Sequence, residues 1–453
     1  MERERLIVVG GSDAGVMAAM WAKNTDPSLV VDMVVKDEFV NYSVCGAPFF
    51  LGGEVPSWEH LAHRTLREIE ALGINVHLDT EALAVEAGGK RLLARRADRE
   101  EEMPYDRLVL AQGATANIPP LPGLDLDGVF TLHDMADTLK IDRYITEHQP
   151  RRAVIVGAGY IGLEMVEALS RRRLDVTVVE QLPQVLPTVD PELASLLAAS
   201  MEQHQVRVLT GTGIRAIESS GRELSVSCEG GERLAADMVM VVVGVRPNSS
   251  LASTAGIEIT RGAVAVNPRM ETSCQDIWAA GDGVTTFHLL LGSSYLPLGT
   301  TAHKQGRVAG INAAGGHASF RGVVGTQVVK LFDHVVGRTG LKEEEARRAK
   351  FSPLTVQSEM MDHKAYYPGS SPLRIRITGD EVTGRLLGAQ ILGSYGAEVA
   401  KRVDLFALGL MHSVSVDDLN DWDLSYTPPV SSPFDPVQMA AQAWTAAWKA
   451  RQG

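Results

Sequence analysis

The sequence predicts an α/β protein with two Rossmann-like nucleotide-binding domains and a third, α+β domain at its C-terminus. An apolar strand, a glycine-rich turn and a helix occur in that order twice, near residues 6–23 and again near residues 153–169. No glycine-rich phosphate loop follows residue 321. The 453 residues also suffice for three domains of roughly 150 residues each.

The first glycine turn follows the β-branched strand of residues 6–9. Its members are Gly10, Gly11, Ser12, Asp13, Ala14 and Gly15. Glycines at these spacings permit a tight turn and let backbone N–H groups approach a pyrophosphate at the helix N-terminus. One such turn is weak evidence, because similar turns join strands to helices in proteins that bind no nucleotide.

The second glycine turn repeats this arrangement and strengthens the prediction. Its members are Gly157, Gly159, Tyr160, Ile161 and Gly162. Glu180 ends the next strand, 18 residues after the last glycine, where a carboxylate commonly binds a ribose diol. The alternative is a solvated strand end. Since no Arg between residues 181 and 190 could receive a 2′-phosphate, the sequence favours NADH, with NADPH as the alternative.

Further strands belong with these turns. Residues 105–113 and 237–247 are predicted as buried strands that close the two nucleotide domains, and residues 276–282 as a short strand ending in Gly-Asp. A carboxylate there could accept hydrogen bonds from a sugar-alcohol chain. The candidate ligand contacts in these segments are Ala111, Gly113, Gly244, Gly281 and Asp282. After residue 321, strands at 326–332 and 373–378 and helices at 342–348 and 396–408 predict the α+β domain.

Composition excludes several classes of protein. There are 43 Lys and Arg against 56 Asp and Glu, a net charge of −13, which disfavours nucleic acid and anionic membranes as partners. The cysteines, Cys45, Cys228 and Cys274, have no spacing typical of a disulfide framework or a zinc site. Neither a signal peptide nor a membrane helix is recognisable, so we expect a cytoplasmic protein.

Residues 41–50, Asn-Tyr-Ser-Val-Cys-Gly-Ala-Pro-Phe-Phe, resemble the S-x-x-C-G-x-P-Y motif of the single-cysteine branch of the pyridine nucleotide–disulfide oxidoreductases. Residues 323–332, 366–369 and 424–436 are similar to the same family, the last two to its coenzyme A disulfide reductases. The resemblance implies FAD and NAD(P)H as cofactors and a homodimer. It also implies an FAD domain at 1–112 and 247–320, an NAD(P)H domain at 113–246 and a dimerisation domain at 321–453.

Cys45 is the candidate redox residue. A thiolate just before a helix is favoured by the helix dipole and can exchange electrons with a nearby flavin, although a buried inert cysteine is the alternative. Without a second Cys in reach, Cys45 must cycle through a mixed disulfide, a persulfide or a sulfenic acid. Cys228 and Cys274 are expected to be structural. By resemblance, Tyr426 of a partner subunit, with Tyr367 or Tyr366 beside it, donates the proton to the leaving thiol.

The resemblance assigns further cofactor contacts and shows departures. It places Ser43, Leu298, Thr301 and Ala302 near the flavin and makes Tyr160 the ring that covers it. Asp13 stands where the oxidase and peroxidase members carry a His, which argues against an efficient peroxidase. Val35 stands where many relatives carry a ribose-binding acid, so Asp37 or Glu38 is the substitute, unless the ribose is held otherwise. Where the family usually has Ala-Thr-Gly, residues 111–113 of this sequence are Ala-Gln-Gly.

The substrate is less defined than the cofactors. In the coenzyme A group the first helix carries basic residues for nucleotide phosphates, but Trp21 replaces a common Arg, leaving Lys23 and Arg64 as candidate cations. A smaller sulfur compound is therefore an alternative to coenzyme A disulfide. The paired His60 and His63 lack further metal ligands, and no metal site is predicted.

The leading function is NADH-dependent reduction of a low-molecular-weight disulfide, persulfide or polysulfide through Cys45. An NADH oxidase or peroxidase that cycles Cys45 as a sulfenic acid is the alternative enzyme. A flavin-binding redox sensor is the alternative outside catalysis, and it is disfavoured because the sequence has no interaction tail.

Overall fold

The structure, a computed structural model, describes residues 3–221 and 223–452. Its strands, in chain order, are β1 (Arg5–Val9), β2 (Val30–Val34), β3 (Ile74–His77), β4 (Thr80–Glu86), β5 (Arg91–Arg96), β6 (Arg99–Pro104), β7 (Arg107–Leu110), β8 (Ala114–Ala116), β9 (Val129–Phe130), β10 (Arg152–Val156), β11 (Asp175–Val179), β12 (Arg207–Leu209), β13 (Ile214–Ser220), β14 (Glu223–Cys228), β15 (Arg233–Ala236), β16 (Met238–Val241), β17 (Val245–Pro247), β18 (Ile259–Thr260), β19 (Ala263–Val264), β20 (Ile277–Ala279), β21 (Thr286–His288), β22 (Gly292–Ser294), β23 (Gln327–Leu331), β24 (His334–Gly340), β25 (Pro353–Met361), β26 (Pro372–Asp380) and β27 (Leu386–Ser394).

Helices alternate with many of these strands. They are α1 (Asp13–Thr25), α2 (Ala47–Leu51), α3 (Leu66–Glu70), α4 (Met135–His148), α5 (Tyr160–Arg171), α6 (Pro191–Gln203), α7 (Ser250–Thr254), α8 (Gly299–Ala313), α9 (Glu343–Arg348), α10 (Val399–Met411) and α11 (Pro436–Gln452). Short 3-10 helices lie at Val44–Gly46, Trp58–Leu61 and Asp417–Asp421. None of the described helices is long and apolar enough to cross a membrane.

The chain divides into two compact units. The first consists of Met1–Arg151, Asp237–Phe287 and Ser293–Gly322, and the second of Arg152–Ala236, His288–Gly292 and Val323–Gly453. The segment with the second glycine turn and the C-terminal segment thus fall in the same unit. The finer division into three domains, with the boundaries given above, stays a prediction.

The first unit is built on a parallel five-stranded sheet in the order β20-β7-β1-β2-β3. Strands β1, β7 and β20 are largely apolar and buried, and all neighbouring strands of the sheet pair in parallel because helices and loops connect them. Helices α1 and α8 pack closely, since Gly306 and Gly310 have no side chains to separate them. A Cβ at Gly306 would lie 2.3 Å from the Ala14 carbonyl oxygen, and one at Gly310 would lie 2.1 Å from that of Ala18.

The second unit holds two different sheets. Strands β10, β11 and β12 pair in parallel around the second glycine turn. Farther along the chain an antiparallel sheet has the order β23-β24-β27-β26-β25. Helices α10 and α11 cover it and bury Phe406 and Trp444 completely. The predicted α/β fold class and the α+β character of the C-terminal segment are confirmed.

Candidate active site

The first glycine turn is tightly packed. Gly10 has a φ of +120°, which only glycine adopts readily, and a Cβ there would lie 2.2 Å from the Ala111 carbonyl oxygen. A Cβ at Gly15 would lie 2.0 Å from the carbonyl oxygen of Gly10. The turn joins β1 to α1, whose N-cap is Ser12. A backbone cradle therefore forms at the N-terminus of α1, as the spacing predicts.

Polar groups line this cradle from two other segments. The side-chain Oε1 and Nε2 of Gln112 are buried and have no hydrogen-bond partner among the described residues. Burying such atoms without a partner costs about 1–3 kcal/mol each. Burial, together with the nearby Asp13 carboxylate, raises the pKa of Asp282 to about 6. A ligand with many hydroxyl and phosphate groups would satisfy these groups, so the cradle fits FAD.

The predicted ribose position differs from that of many relatives. Val35 is buried and stands against the turn, since a Cβ on Gly11 would lie 2.7 Å from its Cγ1. Asp37 is half-buried and accepts a hydrogen bond from the Phe39 N–H at 2.9 Å. Burial raises the pKa of Asp37. Its carboxylate thus stabilises a local turn, and its role toward the adenosine ribose stays a prediction.

Cys45 lies on the 3-10 helix Val44–Gly46, which leads directly into α2. Its side chain is exposed, whereas Cys228 is buried and Cys274 is intermediate. The Ser43 N–H donates to the Leu61 carbonyl at 2.8 Å, and a Cβ on Gly46 would lie 2.6 Å from Leu61 Cδ2. Cys45 is therefore accessible on a braced segment, and its redox role stays a prediction.

The Cys45 segment is tied to the glycine turn by backbone hydrogen bonds. The Asn41 N–H donates to the Gly11 carbonyl at 2.7 Å, and the His63 N–H donates to the Asn41 carbonyl at 2.9 Å. The thiol segment, the glycine turn and the segment around His63 thus belong to one hydrogen-bonded assembly. His63 is exposed and lies beyond the 3-10 helix that carries His60. The described residues contain no group of three His, Cys, Asp or Glu that could hold a metal ion.

The N-terminus of α8 lies in the same unit. The N–H groups of Thr301 and Ala302 both donate to the Leu298 carbonyl at 2.9 Å, and both residues are buried. His303 follows, and its Nδ1 lies 3.6 Å from Asp13 Oδ2. Sequence reasoning missed both His303 and Gln112 as site residues. The unusual Gln at position 112 was visible in the sequence, but its burial was not.

The second glycine turn repeats the positive φ of the first at its first glycine and has open space two residues later. Gly157 has a φ of +102°, and Gly159 is the N-cap of α5 with open space around it. Glu180 is buried, and its two oxygens accept hydrogen bonds from the N–H groups of Ala158 at 2.7 Å and Leu182 at 2.8 Å. The alternative of a solvated strand end is therefore wrong. A carboxylate has further acceptor sites for a ribose hydroxyl.

Tyr160 and Glu164 lie on the first turns of α5. The Tyr160 hydroxyl donates to Gln327 Oε1 at 2.6 Å and accepts from the Thr188 hydroxyl at 3.2 Å. Burial raises the pKa of Tyr160. Burial, with the nearby Glu167, raises the pKa of Glu164 to about 7, and the sequence analysis did not single out this residue. In the first unit, Gly244 has a φ of +92°, and its carbonyl accepts a hydrogen bond from the Asn117 N–H at 2.9 Å.

Two exposed loops of the second unit carry the candidate proton donors. Tyr367 and Tyr426 are 42% and 43% exposed, and Tyr366 is 74% exposed. One buried guanidinium, that of Arg402, donates to the Asp362 carbonyl of the first loop at 2.9 Å and to the Val430 carbonyl of the second at 3.3 Å. The two loops are thus held together and present tyrosines to solvent.

The positive side chains near α1 are arranged differently from the prediction. The Lys23 ammonium donates to the carbonyls of Pro27 and Leu29 at 3.0 and 2.9 Å, and so holds the chain that follows α1. Arg64 is exposed. The Arg307 guanidinium lies over the Trp21 ring, 5.7 Å from its centroid. A cation therefore does stand beside Trp21, but it comes from α8.

Comparison with known proteins identifies the family. Residues 4–306 match the family described as pyridine nucleotide-disulphide oxidoreductase, and residues 326–436 match its dimerisation domain. The chain belongs to this family. Its cofactors are FAD and NAD(P)H, which agrees with the two glycine turns described above.

Three relatives span nearly the whole chain. The NADH oxidase of Methanocaldococcus jannaschii is 34% identical over 97% of this chain and 98% of its own. The NAD(P)H sulfur oxidoreductase (CoA-dependent) of Pyrococcus furiosus is 34% identical over 98% of this chain and 99% of its own. The structure of an NAD-dependent persulfide reductase from A. fulgidus is similar with a TM-score of 0.94 and 34% identity, covering 99% of this chain and 84% of that one.

Proposed function

We propose that this chain is a FAD-dependent NAD(P)H oxidoreductase that reduces a low-molecular-weight disulfide, persulfide or polysulfide through Cys45. The observation that carries the proposal is the position of Cys45. Its thiol is exposed on a segment that is hydrogen-bonded to the glycine turn of the FAD cradle. The sulfur and persulfide reductases among the relatives support the same chemistry.

The reaction proceeds in two sulfur steps. The Cys45 thiolate attacks one sulfur of the substrate disulfide, so a mixed disulfide forms and a thiolate leaves with the electron pair of the broken bond. Two electrons from NADH then cleave the mixed disulfide, which releases the second thiolate and restores the Cys45 thiolate. Bound FAD supplies the electron path between NADH and the sulfur. Overall, one disulfide, one NADH and one proton give two thiols and NAD⁺.

The leaving thiolates need protons, for which we infer a second copy of the chain. Tyr426 and Tyr367 are exposed on loops that Arg402 holds together, and the match to a dimerisation domain covers the segment with Tyr367 and Tyr426. In a homodimer each chain would offer these hydroxyls to the Cys45 of its partner. A cytoplasmic location stays a prediction from the sequence.

The substrate carries negative charge in this proposal. Arg307, stacked on Trp21, and the exposed Arg64 supply positive charge in the unit that contains Cys45. A guanidinium binds phosphate groups in bidentate geometry. Coenzyme A disulfide fits this pattern, as does the coenzyme A dependence in the name of the Pyrococcus furiosus relative. Lys23 contributes less than the sequence predicts, because its ammonium holds the end of α1.

An NADH oxidase activity is the second candidate, because the Methanocaldococcus jannaschii relative bears that name. Asp13 occupies the position at which oxidase and peroxidase members are expected to carry a His. When a thiolate attacks hydrogen peroxide to form a sulfenic acid, the leaving hydroxide needs a proton, which an ionised carboxylate cannot donate, so we rank this activity below sulfur reduction.

The deciding experiment is anaerobic NADH oxidation by the FAD-loaded protein with coenzyme A disulfide, other small disulfides, polysulfide and hydrogen peroxide. We expect one sulfur acceptor to be reduced much faster than peroxide, and Cys45→Ser to lose at least about 100-fold of that rate because the nucleophile is gone. Cys274→Ser is the matched control and should retain the rate.

Three results would contradict the proposal. Peroxide as the preferred acceptor would favour the peroxidase alternative. A Cys45→Ser variant with full sulfur reductase activity would make Cys45 structural. Slow NADH oxidation with every acceptor would favour the redox sensor.

A further inference from the structure

The loop between β25 and β26, which carries Tyr367, is closed at its base by hydrogen bonds. Directly beyond the last pair of these strands, the Asp362 N–H donates to the Ser371 carbonyl at 2.9 Å. In return, the Ser371 N–H donates to Asp362 Oδ1 at 2.8 Å. The carboxylate thus continues the strand pairing into the loop, and the loop starts from a defined base.

Further hydrogen bonds hold the rest of this loop. The Tyr367 N–H donates to the Lys364 carbonyl at 2.8 Å, which closes a turn, and the Lys364 N–H donates to the Pro428 carbonyl at 3.3 Å. The buried Arg402 guanidinium donates to the Asp362 carbonyl at 2.9 Å. The backbone position of Tyr367 is therefore defined, and the place of its hydroxyl depends on how its side chain is packed.

The side chain that packs against Tyr367 is the buried His363. The two rings meet edge to face, with centroids 5.8 Å apart and an interplanar angle of 70°, a favourable arrangement for a ring pair. His363 Nδ1 lies 3.1 Å from Asp362 Oδ1, the same oxygen that closes the base of the loop. The imidazole is thus held on one side by the loop base and supports the Tyr367 ring on another.

The other imidazole nitrogen indicates that the ring itself is what matters. His363 Nε2 is buried and has no hydrogen-bond partner among residues 3–221 and 223–452. A buried polar atom of this kind destabilises a protein, and it does not hold the Tyr367 hydroxyl. The contact between the two side chains is therefore one of packing, so a different aromatic ring at position 363 should preserve it.

We propose that the His363 ring positions the Tyr367 hydroxyl for proton transfer to the leaving thiolate. The inference rests on the proposed function, in which a tyrosine of one chain protonates the thiolate released at the Cys45 of another copy. It adds which of the two adjacent tyrosines is placed for that step: Tyr366 is 74% exposed, whereas Tyr367 is 42% exposed and packs on the buried imidazole. A donor that is already oriented lowers the barrier to the transfer. His363 is a positioning residue, because it acts through Tyr367.

The first test observes the Tyr367 ring without turnover. The FAD-loaded protein is labelled throughout with fluorotyrosine, and the Tyr367 resonance in fluorine NMR is the one that Tyr367→Phe lacks. We expect His363→Leu, which removes the ring, to move this resonance toward its position in urea-unfolded protein. His363→Phe, which keeps a ring, should leave it well separated from that position. The resonance of Tyr295, in the first unit, should not move.

The second test is the anaerobic steady-state rate with the best sulfur acceptor. His363→Leu should lower kcat roughly three- to tenfold and leave the KM for the acceptor within about twofold, because the ring acts after the acceptor has bound. His363→Phe should retain at least about half of the wild-type kcat. The matched control His412→Leu, at an exposed position at the end of α10, should retain all of it. His363→Gln, which also lacks a ring, takes the place of His363→Leu if that variant does not fold.

Two results would overturn the positioning role of His363. One is an unchanged Tyr367 resonance in His363→Leu. The other is an equal loss of kcat in His363→Leu and His363→Phe, because the imidazole nitrogens rather than the ring would then be needed. A shifted resonance in His363→Leu with full kcat in both that variant and Tyr367→Phe would instead refute the proton-donor role of Tyr367, so the two failures are distinguishable.

Discussion

The two glycine turns share a sequence pattern but differ two residues after the first glycine, where the first turn has Ser12 and the second has Gly159. In the first turn, a Cβ at Gly10 would lie 2.2 Å from a backbone oxygen and one at Gly15 would lie 2.0 Å from another. In the second, Gly159 has no atom within 4 Å of the position of a Cβ. The second turn thus leaves bare backbone with open space at the position where the first turn carries the side chain of Ser12, the N-cap residue of α1.

This difference matches the two cofactors. A resident group such as FAD stays bound through turnover, so its cradle is part of the packed fold. A nicotinamide nucleotide must enter and leave in each cycle, and an open turn lets its pyrophosphate approach the backbone. The two predicted ribose positions also differ. Buried Val35 lies against the first turn, whereas at the second turn the Glu180 carboxylate accepts hydrogen bonds from backbone N–H groups.

The largest effect is expected from an added methyl group in each turn. Gly10→Ala must fit a Cβ against Ala111 at a φ of +120°, so we expect the FAD content of the purified protein to fall at least about tenfold. Gly159→Ala has a φ of −78° and open space, so it should fold with full FAD content and raise the KM for NADH. FAD absorbance per chain and steady-state kinetics measure the two effects.

Equal loss of FAD in both variants would break the comparison, because it would show that Gly159 is as constrained as Gly10. A Gly159→Ala variant with an unchanged KM would place the pyrophosphate away from Gly159. Thermal unfolding of both variants provides the control for general loss of stability.

An intermediate effect is expected at Glu180. Glu180→Gln leaves one acceptor oxygen for the N–H groups of Ala158 and Leu182, and removes the charge that a ribose diol would meet. We expect the KM for NADH to rise roughly tenfold, equivalent to about 1.4 kcal/mol, with a smaller change for NADPH. Exposed Glu202→Gln is the matched control. Unchanged kinetics with both nucleotides would restrict Glu180 to a role in its own loop.

Much of the fold could be predicted from the sequence because its signals are local. The β-branched runs at β1 and β10, each followed by glycines, specify strand, turn and helix without distant information. The predicted strands and helices of the C-terminal segment were also found, for example α9 and α10. The family membership that the Cys45 motif indicates is confirmed.

The arrangement of the site could not be predicted as well, because it depends on contacts across long stretches of chain. The Lys23 ammonium donates hydrogen bonds to two carbonyls just beyond its helix. Arg307, which is distant in sequence, lies over the Trp21 ring. His303 meets Asp13 only because α1 and α8 pack at glycines. A pattern of residue types identifies such side chains as candidates, but the packing decides which of them meet.

The smallest effect concerns the pH dependence of stability in the FAD-free protein. Burial raises the pKa of Asp282 from 3.8 to about 6 and that of Glu164 from 4.5 to about 7. Because the folded state holds these protons more tightly, their contribution is complete below the unfolded values and is lost as pH rises through about 6 and about 7. Each loss should be on the order of 1–2 kcal/mol.

Thermal unfolding between roughly pH 4 and 8 tests this expectation and sharpens the comparison of the two turns. Asp282→Asn should reduce the loss of stability that occurs as pH rises to about 6, and Glu164→Gln should reduce the loss that occurs as pH rises to about 7. Adding FAD should suppress only the Asp282 part, because hydroxyl groups that donate to its carboxylate favour the ionised form. If FAD reduced the Asp282 and Glu164 losses of stability equally, the two carboxyl groups would not report on separate sites. The pH dependence would then give no support to the distinction between a resident and an exchangeable cofactor.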